Sequence, residues 1–260
     1  MKIITYLTLI ISLILMTGCS KDTSPIDQMG EITVYLVDSP ANFDEVNIMV
    51  NRLEVHKSDI ASGDSGWIVI NDQPAMYNLL DFRNGVTTVL GNSKLDPGHY
   101  TQMRLIIDSG SHVIVEGIQY DLFIPSGNTS GFKFTHAFTI EENTLYELTV
   151  DFDVKQSVFL TGSNRYTLQP TLRLVPNIIS GTISGTILPL DALPLVWTIA
   201  DTDSVFAYPD STGFFKLMAL PEGMYDINII PENNTYNDTT LFNIQVIKEN
   251  NTDLGTIDLQ

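Results

Sequence analysis

Past residue 28 the chain alternates short runs of β-branched and aromatic residues with turn-forming ones. Ile32–Val37, Val46–Val55, Trp67–Ile70, Tyr100–Ile107, Val113–Val115, Ile118–Ile124, Phe132–Phe138, Leu145–Phe152 and Tyr166–Leu174 each predict a strand. Alternation of period two is clear at Tyr146, Leu148, Val150 and Phe152, which share one face, with Glu147, Thr149 and Asp151 on the other. Tyr166–Leu174 repeats the pattern, and Pro170 places that strand at an edge or a bulge. Asp96-Pro97-Gly98 is a turn before one long strand, and Glu116-Gly117 sits at two-residue hairpin spacing. No window of ten or more residues keeps an apolar stripe of helical period; Met76–Phe82 offers at most one helical turn.

Near Pro176-Asn177 the pattern restarts. Gly181–Ile187, Val196–Ala200, Val205–Tyr208, Phe214–Leu217, Met224–Ile230, Leu241–Ile247 and Leu254–Leu259 supply seven short strands, enough for a small sandwich. The fold expected is therefore all-β, with two consecutive β-sandwich domains at 29–176 and 177–260. A domain as small as the second buries a modest share of its surface, so it is expected to pack against its neighbour.

The first 28 residues follow another logic. One lysine, an apolar run from Ile3 to Met16 and small residues before Cys19 are the parts of an export signal. The run is 14 residues long, short of the roughly 20 that span a bilayer as a helix. Cys19 is the lone cysteine, so no intramolecular disulfide forms. Leu15-Met16-Thr17-Gly18-Cys19 resembles the lipobox of bacterial lipoproteins, with Met16 where that family usually has Leu. The resemblance implies a signal peptide at 1–18 and a cysteine acylated, palmitate-style, as the first mature residue. It also implies a polar tether at 19–28 and membrane attachment through several acyl chains. Lys21-Asp22 resembles the export signals of Bacteroidetes surface lipoproteins, which points to the cell envelope at the outer membrane and leaves the leaflet open.

Charge narrows the partners. The chain carries 31 acidic and 13 basic residues; removal of the signal leaves 12 basic ones and a formal charge of −19. Such a field repels phosphate backbones and anionic headgroups, so nucleic acid is excluded as a partner and lipid is the expected route to the membrane.

Two further resemblances cover the exported part. Gly181-x-Ile183-x-Gly185-x-Ile187, Asp210-Ser-Thr-Gly213, Leu220-Pro-Glu-Gly223-Met-Tyr225 and Leu254–Leu259 are similar to the carboxypeptidase regulatory-like domain. That implies a seven-stranded prealbumin-like sandwich, in most contexts a non-catalytic spacer or binding module. Residues 29–176 resemble the domain of unknown function 4382, through Val34-Tyr-Leu-Val-Asp38-Ser-Pro40, Phe43-Asp44-Glu-Val-Asn-Ile48, Gly66-Trp67, Leu95-x-Pro97-Gly98-x-Tyr100 and Val150-Asp-Phe-Asp153. This second resemblance implies no activity for any named residue.

Candidate chemistry is sparse. Gly63-Asp64-Ser65-Gly66 mimics the nucleophile stretch of trypsin-like proteases, but Trp67 follows it and His56 lies only nine residues before Ser65, so a turn explains it better. His56, His99, His112 and His136 show no zinc spacing. Asp38, Asp44, Asp151 and Asp153 could bind Ca²⁺ if strand ends meet, although turn and surface roles are the simpler explanation and no Ca²⁺ loop motif is present. Trp67, Trp197, Tyr208 and Tyr236 could stack on a sugar, a role that core or cross-strand packing competes with. The expectation is a lipid-anchored, non-enzymatic envelope protein without a resident cofactor, binding a glycan or another envelope protein. The alternatives are a carbohydrate-binding accessory lipoprotein and a hydrolase using Asp38, Asp151 and Asp153 as acids and bases.

Overall fold

The computed structural model describes residues 29–39, 41–58, 66–125 and 130–260; Cys19, the signal, the tether and Gly63–Ser65 lie outside them. The N-terminal module opens with β1 (Gly30–Ser39), β2 (Glu45–Lys57), β3 (Trp67–Asn71), β4 (Ala75–Asn78), β5 (Thr88–Leu95) and β6 (Gly98–Val115). It continues through β7 (Ile118–Asp121), β8 (Phe132–Ile140), β9 (Leu145–Asp153), β10 (Val158–Leu160), β11 (Tyr166–Leu168) and β12 (Leu172–Pro176). The C-terminal module holds β13 (Ser180–Leu188), β14 (Leu195–Ala200), β15 (Asp203–Ala207), β16 (Phe214–Pro221), β17 (Gly223–Ile230), β18 (Thr239–Val246) and β19 (Asn251–Asp258).

Each module is a sandwich of two sheets. In the first, β12-β9-β1-β5 faces a sheet in which β2 and β6 are central and carry β3, β4, β7 and β8. In the second, β16-β13-β19 faces β15-β14-β17-β18. The parallel β1–β9 pairing sets Ile32, Val34 and Leu36 beside Tyr146, Leu148 and Val150. That register turns the alternating apolar residues inward, and Val34, Leu148 and Phe152 are fully buried. Gly91 of β5 lies where the sheets approach: a Cβ there would meet Ile70 Cγ2 at 2.8 Å and Leu53 Cδ2 at 3.1 Å.

The two modules share one topology. In the first, β1 has β5 antiparallel on one side and β9 parallel on the other. In the second, β13 has β16 antiparallel and β19 parallel. The facing sheets match as well, since β2 between β3/β4 and β6, with β8 outside β6, corresponds to β14 between β15 and β17, with β18 outside β17. β7, β10, β11 and β12 are additions peculiar to the first module.

The crossing from one sheet to the other is built identically in both. Leu95-Asp-Pro-Gly98-His-Tyr100 links β5 to β6, and Leu220-Pro-Glu-Gly223-Met-Tyr225 links β16 to β17. The Tyr100 hydroxyl donates to the Asp96 carbonyl at 2.9 Å, and the Tyr225 hydroxyl to the Pro221 carbonyl at 2.7 Å. Each is a tyrosine corner that pins the turn to the strand it feeds. Replacing either tyrosine by phenylalanine removes one hydrogen bond and leaves a carbonyl underused, so each change is expected to cost about 1–2 kcal/mol. Urea unfolding checks this: the midpoint falls with the slope unchanged, and an unmoved midpoint refutes the corner's role.

Two expected elements differ from those observed. Tyr166–Leu174 is not one strand: β11 and β12 join different sheets, and the break spans Pro170, which has no N–H for a ladder. Tyr100–Ile107 and Val113–Val115 are one strand, β6, because Ser111 repairs the gap. Its Oγ accepts from the Met49 amide at 2.9 Å and donates to the Asp108 carbonyl at 3.0 Å, across a bulge.

Candidate functional site

The second module packs against part of the outer face of the β12-β9-β1-β5 sheet, and polar side chains of the first module meet its backbone there. β16 ends its own sheet, so it presents unpaired backbone groups. Side chains of the first module satisfy them. The Lys216 amide donates to Asn84 Oδ1 at 3.2 Å, and Asn84 Nδ2 donates to the Tyr208 carbonyl at 2.9 Å. Arg173 donates from Nη1 to the Ala219 carbonyl at 2.6 Å, and from Nη2 to the Met218 carbonyl at 3.4 Å and to Asp151 Oδ2 at 2.7 Å. Ala219 is held at φ 52°, a left-handed conformation costly for a residue with a Cβ.

These contacts dispose of Asp151, whose carboxylate is buried and paired with Arg173. Asp153 caps the helical turn Val154–Ser157, accepting from the Gln156 amide at 2.9 Å and from Gln156 Nε2 at 2.6 Å. Asp38 stands opposite Phe152 in the β1–β9 register and accepts from the Val154 amide at 3.3 Å. Asp44 is elsewhere, accepting from the Gly117 amide at 2.8 Å in the β6–β7 turn. The four acids do not gather at one point: Asp151 and Asp153 line one small cavity beside Arg173, Asp38 and Asp151 line another, and Asp44 stands apart. Among the described residues no group of three or more His, Cys, Asp or Glu side chains is set to hold a metal ion.

The family described as Domain of unknown function (DUF4382) matches residues 29–170. The chain belongs to this family. None of the curated proteins compared with it matches. Among solved structures it is similar to a type II cohesin–X-dockerin complex from Acetivibrio cellulolyticus, at 23% identity over 30% of this chain and 56% of that one, with a TM-score of 0.25. It is similar to the Bacillus anthracis TIE protein, at 11% identity over 89% of this chain and 34% of that one, TM-score 0.25. It is also similar to GBS52, the minor pilin of Streptococcus agalactiae, at 11% identity over 87% and 94% of the two chains, TM-score 0.25. The chain thus spans about half of the first of these and about a third of the second. Likenesses this weak carry no statement about its task.

Cavities of this DUF4382 protein gather at the same junction. One of about 300 Å³ is lined by Asn42, Arg83, Leu190, Leu193, Tyr208 and Glu232, among others. A wider one of about 510 Å³ has Tyr35, Glu147, Thr149, Asn177, Lys216 and Asn250 among its walls. Burial, and next the Glu232 carboxylate, push the Tyr208 hydroxyl up. Tyr35 is raised chiefly by donating to Glu147, at 2.8 Å. Of the four aromatics with stacking potential, Tyr208 alone lines this smaller cavity. Trp67 already carries the Arg104 guanidinium 4.4 Å from its ring centre, with His56 edge-on at 5.2 Å. Trp197 pairs with Phe206 across strands, and the Tyr236 hydroxyl donates to Asp191 at 3.0 Å. The histidines stay apart; burial lowers His136, which sits 3.2 Å from the Tyr146 hydroxyl.

Asp210, on the rim of the smaller cavity, organises its own turn. Its carboxylate accepts from the Thr212 hydroxyl at 2.6 Å and from the amides of Thr212 and Phe214 at 2.8 and 3.1 Å. The Thr212 hydroxyl chiefly, helped by the two amides, holds Asp210 below the usual carboxylate range against a smaller opposing effect of burial. A lowered folded-state pKa means that Asp210 stabilises the fold above the unfolded value of ~3.9, and that this is lost as pH falls through the lowered value. An NMR titration of the Asp210 carboxyl carbon is expected to show a midpoint below that of a peptide aspartate. An ordinary midpoint refutes the assignment.

Proposed function

We propose that the protein is a lipid-anchored, non-enzymatic component of the cell envelope, held at the outer membrane through Cys19 and acting as a structural or adhesive unit. The observation that carries this reading is the sealed edge of β16: Asn84 and Arg173 tie two sandwiches of the same topology into one body. The acids that could have served a hydrolase are engaged otherwise: Asp38 accepts from the Val154 amide, Asp151 pairs with Arg173, and Asp153 caps a helical turn. The lipobox-like stretch before Cys19 supports the anchor. Mass spectrometry of the mature N-terminus is expected to find an acylated Cys19, and Cys19→Ala to yield an unlipidated or uncleaved chain. An unmodified Cys19 in a membrane-extracted sample refutes the anchor.

The 300 Å³ cavity favours one second reading, carbohydrate capture. Its volume lies at the lower end of the range of small-molecule sites, and such sites favour boundaries between modules. Leu190, Leu193 and Tyr208 offer apolar walls, while Asn42, Arg83 and Glu232 offer donors and acceptors to hydroxyls. A glycan array probed with the purified protein, with Tyr208→Ala beside it, decides: no hit, or hits the variant retains, ends this reading.

A further inference from the structure

The junction contains the chain's sole Asn-Gly pair, Asn84-Gly85. Both residues take positive φ, 53° and 95°, in the loop that follows the β4 strand and its helical turn. Asn-Gly is the dipeptide in which an asparagine side chain is most readily lost, because the glycine amide nitrogen, free of a neighbouring Cβ, can reach the asparagine Cγ. Here both polar atoms of the carboxamide and the attacking nitrogen are engaged by the second module. Asn84 Nδ2 donates to the Tyr208 carbonyl at 2.9 Å, and Asn84 Oδ1 accepts from the Lys216 amide at 3.2 Å. The would-be nucleophile, the Gly85 nitrogen, donates to Met218 Sδ at 3.1 Å. The carboxamide is thus fixed at one point of β16 and the attacking nitrogen at another.

We propose that Asn84-Gly85 is a deamidation site gated by the junction: protected while the modules are docked, reactive when they part, and unable to redock in the same way afterwards. The Gly85 nitrogen gives up its proton and bonds to Asn84 Cγ; the Cγ–Nδ2 bond breaks and the nitrogen leaves as ammonia. Water then opens the five-membered imide at either carbonyl, giving aspartate or isoaspartate. The net change is asparagine plus water to acid plus ammonia, with no oxidant or reductant. The product carries a carboxylate where Nδ2 had donated, so an acceptor faces the Tyr208 carbonyl and the contact becomes repulsive. In the isoaspartate form the added backbone carbon also displaces Gly85 from Met218. The site follows from the junction's geometry and does not depend on the anchor or the ligand.

The test is peptide mapping by mass spectrometry of the purified full chain, aged in mildly alkaline buffer. Three samples are compared: the unaltered protein, Arg173→Ala, and the unaltered protein in urea below its unfolding transition. Local opening sets the rate, so Arg173→Ala and sub-denaturing urea are each expected to speed conversion at position 84 by at least about tenfold. Asn84→Asp, made directly, is expected to speed hydrogen exchange at the Lys216 amide by a similar factor. Equal ageing in the unaltered protein with and without urea overturns the gating, whether or not Arg173→Ala folds. Unchanged exchange at Lys216 in Asn84→Asp overturns the claim that conversion uncouples the modules.

Discussion

Arg173→Ala is expected to destabilise the protein by about 3–5 kcal/mol, the range for removing one partner of a buried ion pair. The side chain holds three acceptors at once: the Asp151 carboxylate and the carbonyls of Met218 and Ala219. Asp151 is only 7% exposed, so its charge cannot be rehydrated without opening the interface. Truncation therefore strips a buried carboxylate of its guanidinium and leaves two edge-strand carbonyls without that donor. Replacing the pair together, by Asp151→Leu with Arg173→Met, should cost far less, since no charge is then left behind. Calorimetry of the three proteins measures this. A loss below about 1 kcal/mol for Arg173→Ala, the scale of an exposed pair, sinks the role assigned to it.

Phe152→Ala is expected to cost about 3–5 kcal/mol through a different route, the cavity left by a large side chain. Phe152 is fully buried within the first module's core, between two aspartates that face the other way. The loss should appear as a lower urea midpoint, and Phe152→Leu, which conserves more volume, should cost under about 1.5 kcal/mol. A change within about 0.5 kcal/mol, as for surface substitutions, contradicts the packing described.

Much of the fold was legible in the residues. Alternation along β9 is read correctly because each face has a partner, and all seven strands of the second module fall where turn residues bracket apolar runs. The Glu116-Gly117 hairpin has both residues at positive φ, 50° and 73°, as a two-residue turn requires. β5 escapes notice because Gly91-Asn92-Ser93 looks like a loop; it is a strand because Gly91 lets two sheets close on each other. β4 escapes because the apolar spacing of Met76–Phe82 suits a helical turn equally well, and a true one follows at Leu79–Asp81.

The junction was not legible. Arg173 and Asn84 read as ordinary polar residues, since most of their partners are backbone atoms of the second module, and those leave no mark in a sequence. The four acids read as one candidate group only because their separations in space were unknown. One signal lay open: Leu-x-x-Gly-x-Tyr occurs at Leu95–Tyr100 and again at Leu220–Tyr225, and it marks the same corner in each module.

Side chains of the first module close the free edge of β16. Hydrogen exchange at the Lys216 amide tests it most directly, because that amide points off the sheet and the Asn84 side chain is its acceptor. Slow exchange is expected in the unaltered protein and fast exchange after Asn84→Ala, with the amides of β13 unchanged. Exchange at Lys216 as fast as in an exposed loop of the unaltered protein would contradict it.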